Sequence, residues 1–252
     1  MIRKILVSQP KPSNEKSPYY DIAKEFGVQL VFRPFIKVEG ITAKEFRNQK
    51  VNILEHTAIV FTSRHAIDHF FTLAKELRLT IPEKMRYFCV TETVALYIQK
   101  YVQYRKRKVF YGNQTLDDLI EIMKKHKDEK YLYVCSDISS DATLDLLTAA
   151  KLNFTKAVMF RTVPADLKDV VKINDYDMLV FFSPMGIHSL KQNFPDFEQK
   201  EVAIGGFGDA TCQAIIDEGF ELSFRAPTQT APSMTMAIEE YIAAEQKKSK
   251  KK

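Results

Sequence analysis

The chain has 252 residues, 45% of them hydrophobic and 27% charged, a composition of ordinary globular domains that excludes a disordered or fibrous chain. No run approaches the roughly 18 apolar residues that cross a bilayer, and the basic start turns polar at Ser8-Gln9-Pro10 directly after Ile5-Leu6-Val7, too soon for a secretory leader. The net charge of +5 is matched by the lysines of the last stretch, Lys247-Lys248-Ser249-Lys250-Lys251-Lys252, so the body of the chain is electrically balanced.

Hydrophobic patterning predicts a strand over 3–8 and a helix over 19–26 that Gly27 ends, since glycine accepts the left-handed conformation of a helix C-cap. A strand over 28–33 follows. Pro34 interrupts it, and Phe35-Ile36-Lys37-Val38-Glu39 then alternates as a half-exposed strand does. Thr42 with Glu45 three residues on is a capping-box opening for a short helix. A strand over 57–62 runs into a helix over 64–78, and one over 87–90 into a helix over 93–101. A short strand over 109–111 closes at Gly112-Asn113 before a helix over 116–125. Strand 131–135 and helix 143–150 come next, and residues 157–163 alternate again as a second half-exposed strand. Strand 178–182, helix 187–192, strand 201–204, helix 210–217, strand 221–225 and helix 233–244 complete the chain.

Strands that alternate with helices call for parallel sheets covered on both faces, with ligands at the carboxyl ends of the strands. Two strand–helix turns say nearly the same thing ~120 residues apart: Ile59-Val60-Phe61-Thr62-Ser63 and Leu179-Val180-Phe181-Phe182-Ser183. One sheet of all these strands is an available arrangement. Two sheets, with the middle block inserted and the two alternating stretches as the joint, account better for the alternation.

The chemistry narrows by elimination. Cys89, Cys135 and Cys212 are widely spaced with no Cys-x-x-Cys pair, which argues against a zinc ribbon or disulfide framework and fits the reduced thiols of a cytosolic protein. His65 and His69 have i, i+4 spacing but enclose Ala66-Ile67-Asp68, so His65 is expected to cap its helix and His69 to lie on a solvated face. Ser183 lacks a Gly-x-Ser-x-Gly elbow, and Gly205-Gly206-Phe207-Gly208 lacks the spacing of a phosphate loop. The final lysines read as a solvated, disordered tail; Tyr104-Arg105-Lys106-Arg107-Lys108 is either a solvated rim or faces an acidic ligand. What remains is a series of small polar residues at strand-to-helix turns. Each alone is explained by helix capping; together they suggest a cleft of N–H and hydroxyl donors suited to a ligand with many carboxylates.

Phe61-Thr62-Ser63-Arg64-His65-Ala66, Phe181-Phe182-Ser183-Pro184-Met185-Gly186, Gly208-Asp209-Ala210-Thr211 leading to Gly219, and Ala226-Pro227-Thr228 resemble the signature of the uroporphyrinogen-III synthase family. Gly112-Asn113 before a helix and Thr162-Val163 on a returning strand fall in the same order, so the resemblance runs from Lys4 to about Tyr241. It implies an α/β fold of two parallel-sheet, flavodoxin-like lobes joined by a two-stranded β linker. The first domain would comprise 1–35 and 165–246, the second 41–156, the linker strands 36–40 and 157–164, and the disordered tail 247–252. It further implies a cytoplasmic, monomeric hydro-lyase of heme biosynthesis. That enzyme would cyclise hydroxymethylbilane with inversion of ring D and loss of water, without metal or cofactor, nucleic acid or membrane. The alternative is a non-catalytic tetrapyrrole- or polyanion-binding module of the same fold.

By the resemblance, substrate is bound by Thr62, Ser63, Thr93, Gly112, Asn113, Ser183, Pro184, Gly186, Gly208 and Thr228, with Thr211 among the catalytic residues. The chain also departs from the family. Phe160 stands where members commonly carry a Tyr that is a candidate acid for the departing hydroxyl, and Tyr111 is the nearest substitute. Ser136-Asp137-Ile138-Ser139-Ser140-Asp141 replaces a basic, glycine-containing stretch, the expected Thr of the turn after residue 90 is displaced to Thr93 or replaced by Val94, and Gln9 replaces an early Arg.

Overall fold

The computed structural model describes residues 2–138 and 141–249. The chain opens with β1 (Lys4–Val7), α1 (Pro18–Phe26), β2 (Gln29–Phe32) and β3 (Ile36–Gly40). The middle contains α2 (Ala43–Asn48), β4 (Ala58–Phe61), α3 (Arg64–Glu76), β5 (Arg86–Cys89), α4 (Glu92–Tyr97), β6 (Val109–Tyr111), α5 (Leu116–Met123), β7 (Tyr131–Ser136) and α6 (Asp141–Ala149). The chain returns through β8 (Phe154–Pro164) to β9 (Met178–Phe181), α7 (Pro184–Asn193), β10 (Ala203–Phe207), α8 (Asp209–Asp217), β11 (Phe224–Ala226) and α9 (Met234–Ser249). Two compact units result, one of Met1–Lys37 with Val163–Lys252 and the other of Val38–Thr162.

In the first unit the strand order is β11-β10-β9-β1-β2, every neighbouring pair parallel. Alternate residues of these strands point to opposite faces. Ile5, Val7, Met178 and Val180 pack with Ile22 of α1 and Ile238 and Ile242 of α9. Leu6, Leu179 and Ile204 pack with Ile187 and Leu190 of α7 and Ile215 of α8. Gly205 and Gly206 lie inside β10, where a Cβ would meet the Phe224 ring at 2.2 Å or the Ile215 side chain at 2.9 Å. That pair serves close packing and forms no phosphate loop, which answers the sequence motif physically.

In the second unit the order is β3-β8-β7-β4-β5-β6, with β8 through β6 parallel. One face, with Ile59, Phe61, Leu132 and Val134, is covered by Phe46 of α2, Ile67 and Phe70 of α3 and Ala95 of α4. The other, with Val60, Phe88, Tyr131 and Tyr133, is covered by Leu119 and Met123 of α5 and Leu147 of α6. The Ile41 N–H bonds the Met159 carbonyl (3.1 Å) while Arg161 pairs with Glu39 (3.0 Å), so positions rise on β3 as they fall on β8 and the two run antiparallel. Thr42 caps α2 in the expected box, receiving the Glu45 N–H while Glu45 receives that of Thr42.

Several expectations need adjustment. β8 begins at Phe154 and pairs with β7 through Phe160, so the strand read as pure linker is also a sheet member. α7 begins at Pro184, whose fixed φ suits a first helical turn, instead of at residue 187. α9 continues to Ser249, which makes Lys247 and Lys248 helical where a disordered tail was expected; residues 250–252 lie outside the described residues. Positive side chains in a last turn are favoured by the partial negative charge of the helix end. Among the described residues, no helix is long and apolar enough to cross a membrane.

Candidate functional site

Each sheet has a point where the chain reverses its order of strand addition. In the second unit β4 leads to β5 and β6 on one side, while β7 and β8 lie on the other; in the first, the break falls between β1 and β9. The helices that follow two such strands leave to opposite faces, as α3 and α6 do here, and in open parallel sheets this point of the carboxyl edge is where ligands are held. Thr62, Ser63 and Ser136 stand at the first break, and Ser8, Phe182 and Ser183 at the second.

The hydroxyls at these turns are already employed. Ser63 Oγ accepts the Ala66 N–H (3.1 Å), Thr91 Oγ1 that of Val94 (3.3 Å) and Ser183 Oγ that of Gly186 (3.2 Å). Such a cap satisfies one of the orphan donors of a first turn and leaves the earlier ones without an intrahelical carbonyl. At α3 these are the N–H groups of Arg64 and His65; at α7 Pro184 has none, so Met185 alone offers one. Gly186 lets α7 settle on the strand, since a Cβ there would sit 3.3 Å from the Phe181 ring.

Neighbouring turns extend both rims. Gly112 donates its N–H to Cys89 O (3.0 Å), and a Cβ there would stand 2.9 Å from the Leu119 nitrogen, so only glycine brings this turn so close to α5. Asn113 is exposed beside it, while Thr115 and Asp118 close a capping box. Thr93 is exposed, 3.4 Å from the Thr91 hydroxyl; Thr91, three residues before Val94, is the helix cap. In the first unit Gly208 holds φ 81° and donates to Ala226 O (2.7 Å), and α8 starts without a side-chain cap. The N–H groups of Asp209, Ala210 and Thr211 therefore lack intrahelical partners, although Asp209 is ion-paired with Arg225. The Thr211 side chain is buried at 3% exposure, and its main-chain N–H is one of these three. Thr228 Oγ1 receives the Ala231 N–H (2.9 Å) in the turn after β11.

Tyr111, 38% exposed, ends β6 with its hydroxyl donating to Glu92 Oε1 (3.1 Å). That bond and the nearby carboxylate charge push the phenol up from its ordinary value, so it is protonated at neutral pH. Phe160 is buried opposite Ser136, across a bulge in the β7–β8 register, and His69 stacks on its ring at 5.3 Å. A Cβ on Gly40 would lie 2.9 Å from His69 Nδ1, so the imidazole covers Gly40 and Phe160 together. His69 is thus half-buried between His65 and Phe160, not on a solvated face, and burial lowers its pKa. The helix cap is Ser63, not His65. The missing side chain at Gly40 was the available signal for this packing. Phe182 and Phe207, at the ends of adjacent strands, also stack (5.9 Å). Asp137 belongs to the stretch 136–141, of which residues 139 and 140 lie outside the described residues.

The family model described as uroporphyrinogen-III synthase HemD matches residues 18–236. The chain belongs to the uroporphyrinogen-III synthase family. No curated protein matches the sequence. Among solved structures, the uroporphyrinogen-III synthetase of Helicobacter pylori 26695 is similar at 13% identity and a TM-score of 0.55, with 96% of this chain and 100% of that one covered. A mutant uroporphyrinogen III synthase of Thermus thermophilus aligns at 14% identity and a TM-score of 0.47, covering 97% and 99%. In this family member the polar rims occupy the carboxyl edge of each sheet, with Ser63 and Ser183 at the breaks in strand order.

Proposed function

We propose that this protein is a uroporphyrinogen-III synthase, a lyase of tetrapyrrole and heme biosynthesis that acts without a cofactor. It cyclises hydroxymethylbilane to uroporphyrinogen III, inverting ring D and releasing water. The observation that carries this reading is the family match over residues 18–236, with Ser-capped helix starts at both breaks in strand order as support. A cytosolic location fits the three buried cysteines, none of which forms a disulfide.

In each unit, uncapped main-chain N–H groups at helix starts, those of α3 in one and of α7 and α8 in the other, are donors suited to acetate and propionate carboxylates. This needs amides in place rather than particular side chains, and it converts a flexible chain into a reactive shape. Departure of the hydroxyl leaves an azafulvenium-like cation. Attack through the substituted carbon of ring D gives a spiro intermediate, which reopens and closes inverted. Tyr111 gives its proton to the departing hydroxyl, which leaves as water, and its phenolate oxygen recovers a proton from solvent. Supplying hydroxymethylbilane and resolving the products tests the reading. The type III isomer is expected; type I alone, the spontaneous product, would leave only a tetrapyrrole-binding module.

A further inference from the structure

The basic stretch at 104–108 takes no part in those rims, because it leads into the opposite, amino-terminal end of β6. There it meets Lys84 and Arg86 at the start of β5. Glu83, Lys84, Arg86, Arg105, Arg107 and Lys108 line a surface hollow of about 480 Å³. The only carboxylate among them is engaged by two of the cations: Glu83 Oε1 lies 2.6 Å from Arg105 Nη1 and 3.9 Å from Lys108 Nζ, and Lys108 also donates to the Glu83 carbonyl. Arg86 is held by Glu129 at 2.8 Å. Among the described residues, Lys84 and Arg107 make no ion pair. The hollow thus carries several cations for one carboxylate, an arrangement that an anion with more than one charge relieves.

A second hollow of about 460 Å³ adjoins it, sharing Glu83, Arg105 and Lys108 as a wall. Its remaining surface is mainly apolar, from Ile81, Pro82, Tyr87 and Val102, with Thr80 and Gln103 as hydrogen-bonding edges. An apolar hollow with a few polar groups takes a flat ring with polar edges, and arginines grip phosphate oxygens in pairs. We propose that the paired hollows bind a nucleoside polyphosphate. Its phosphates lie on Lys84, Arg86, Arg105 and Arg107, and its base lies between Pro82, Tyr87 and Val102. Recognition is by side chains, without a glycine-rich loop.

Isothermal titration of the full chain with ATP, inorganic tripolyphosphate and adenosine, each at low and at physiological salt, tests this. ATP is expected to bind at least tenfold more tightly than tripolyphosphate. Reversing both unpaired cations, Lys84→Glu with Arg107→Glu, should weaken ATP at least tenfold and leave type III product formation unchanged without nucleotide. Should the double variant lose its native circular dichroism, Arg107→Gln decides, with a several-fold loss expected. Equal binding of ATP and tripolyphosphate, binding of neither, or ATP binding untouched by these substitutions would overturn the proposal. Because the readout is binding, a failed cyclisation assay would not bear on it.

Discussion

Tyr111 and His56 show how a single side chain acquires a chemical role from its surroundings. The Tyr111 phenol keeps its proton because it donates to Glu92 beside a negative charge, and it is reachable from solvent. Tyr111→Phe keeps the ring and removes the acid, so kcat for type III product should fall on the order of 100-fold with KM little changed. An unaltered kcat would assign the proton to another group. His56 is buried at 5% exposure, holds the Asn52 carbonyl through Nδ1 (2.8 Å), and leaves Nε2 buried with no partner among the described residues. Burial lowers its pKa, because a charge on that unpartnered atom could not be solvated. The unfolded ring titrates near 6.5, so the associated stability is complete above about that pH and lost as the pH falls on through the lower folded value. The melting temperature should therefore fall between about pH 7 and pH 5, and less steeply in His56→Asn; His69, shifted the same way, contributes the remaining slope.

At the scale of elements, the capped helix starts separate stability from recognition. Ser63 and Ser183 each accept an N3 N–H, and removing either acceptor should cost about 1 kcal/mol. If substrate carboxylates rest on the main-chain N–H groups, Ser63→Ala and Ser183→Ala should lower the urea midpoint while changing KM by less than about threefold. A tenfold rise in KM with unchanged stability would instead make the hydroxyls the ligands. These turns were legible in the sequence because an apolar run ending in Ser or Thr before a helical pattern has one local meaning. The cap at Thr91 was less so, since Thr91 and Thr93 both suit that position and only the observed φ and bond to Val94 choose between them. The burial of Thr211 was hidden for another reason: which face of α8 meets β10 depends on Gly206, whose missing side chain admits the helix.

For the molecule as a whole, each unit has its own sheet covered on both faces, and β3 and β8 carry the chain from one unit to the other. Separate cores favour separate cooperativity. Differential scanning calorimetry should therefore give a calorimetric enthalpy larger than the van't Hoff enthalpy; equality would mean that the units melt as one.

The amino-acid sequence alone determined the alternation of strand and helix, the two Ser-bearing turns and the family, because these depend on residues close together in the chain. It could not determine which strands are neighbours. Pairing β4 with β7 and β1 with β9 joins residues far apart in sequence, and that pairing alone puts Ser63 and Ser183 at the breaks in strand order. The same holds for His69 over Gly40 and Phe160, and for the cations gathered at the starts of β5 and β6. Local chemistry writes helix ends and strand edges; only the packing of distant segments decides what those edges face.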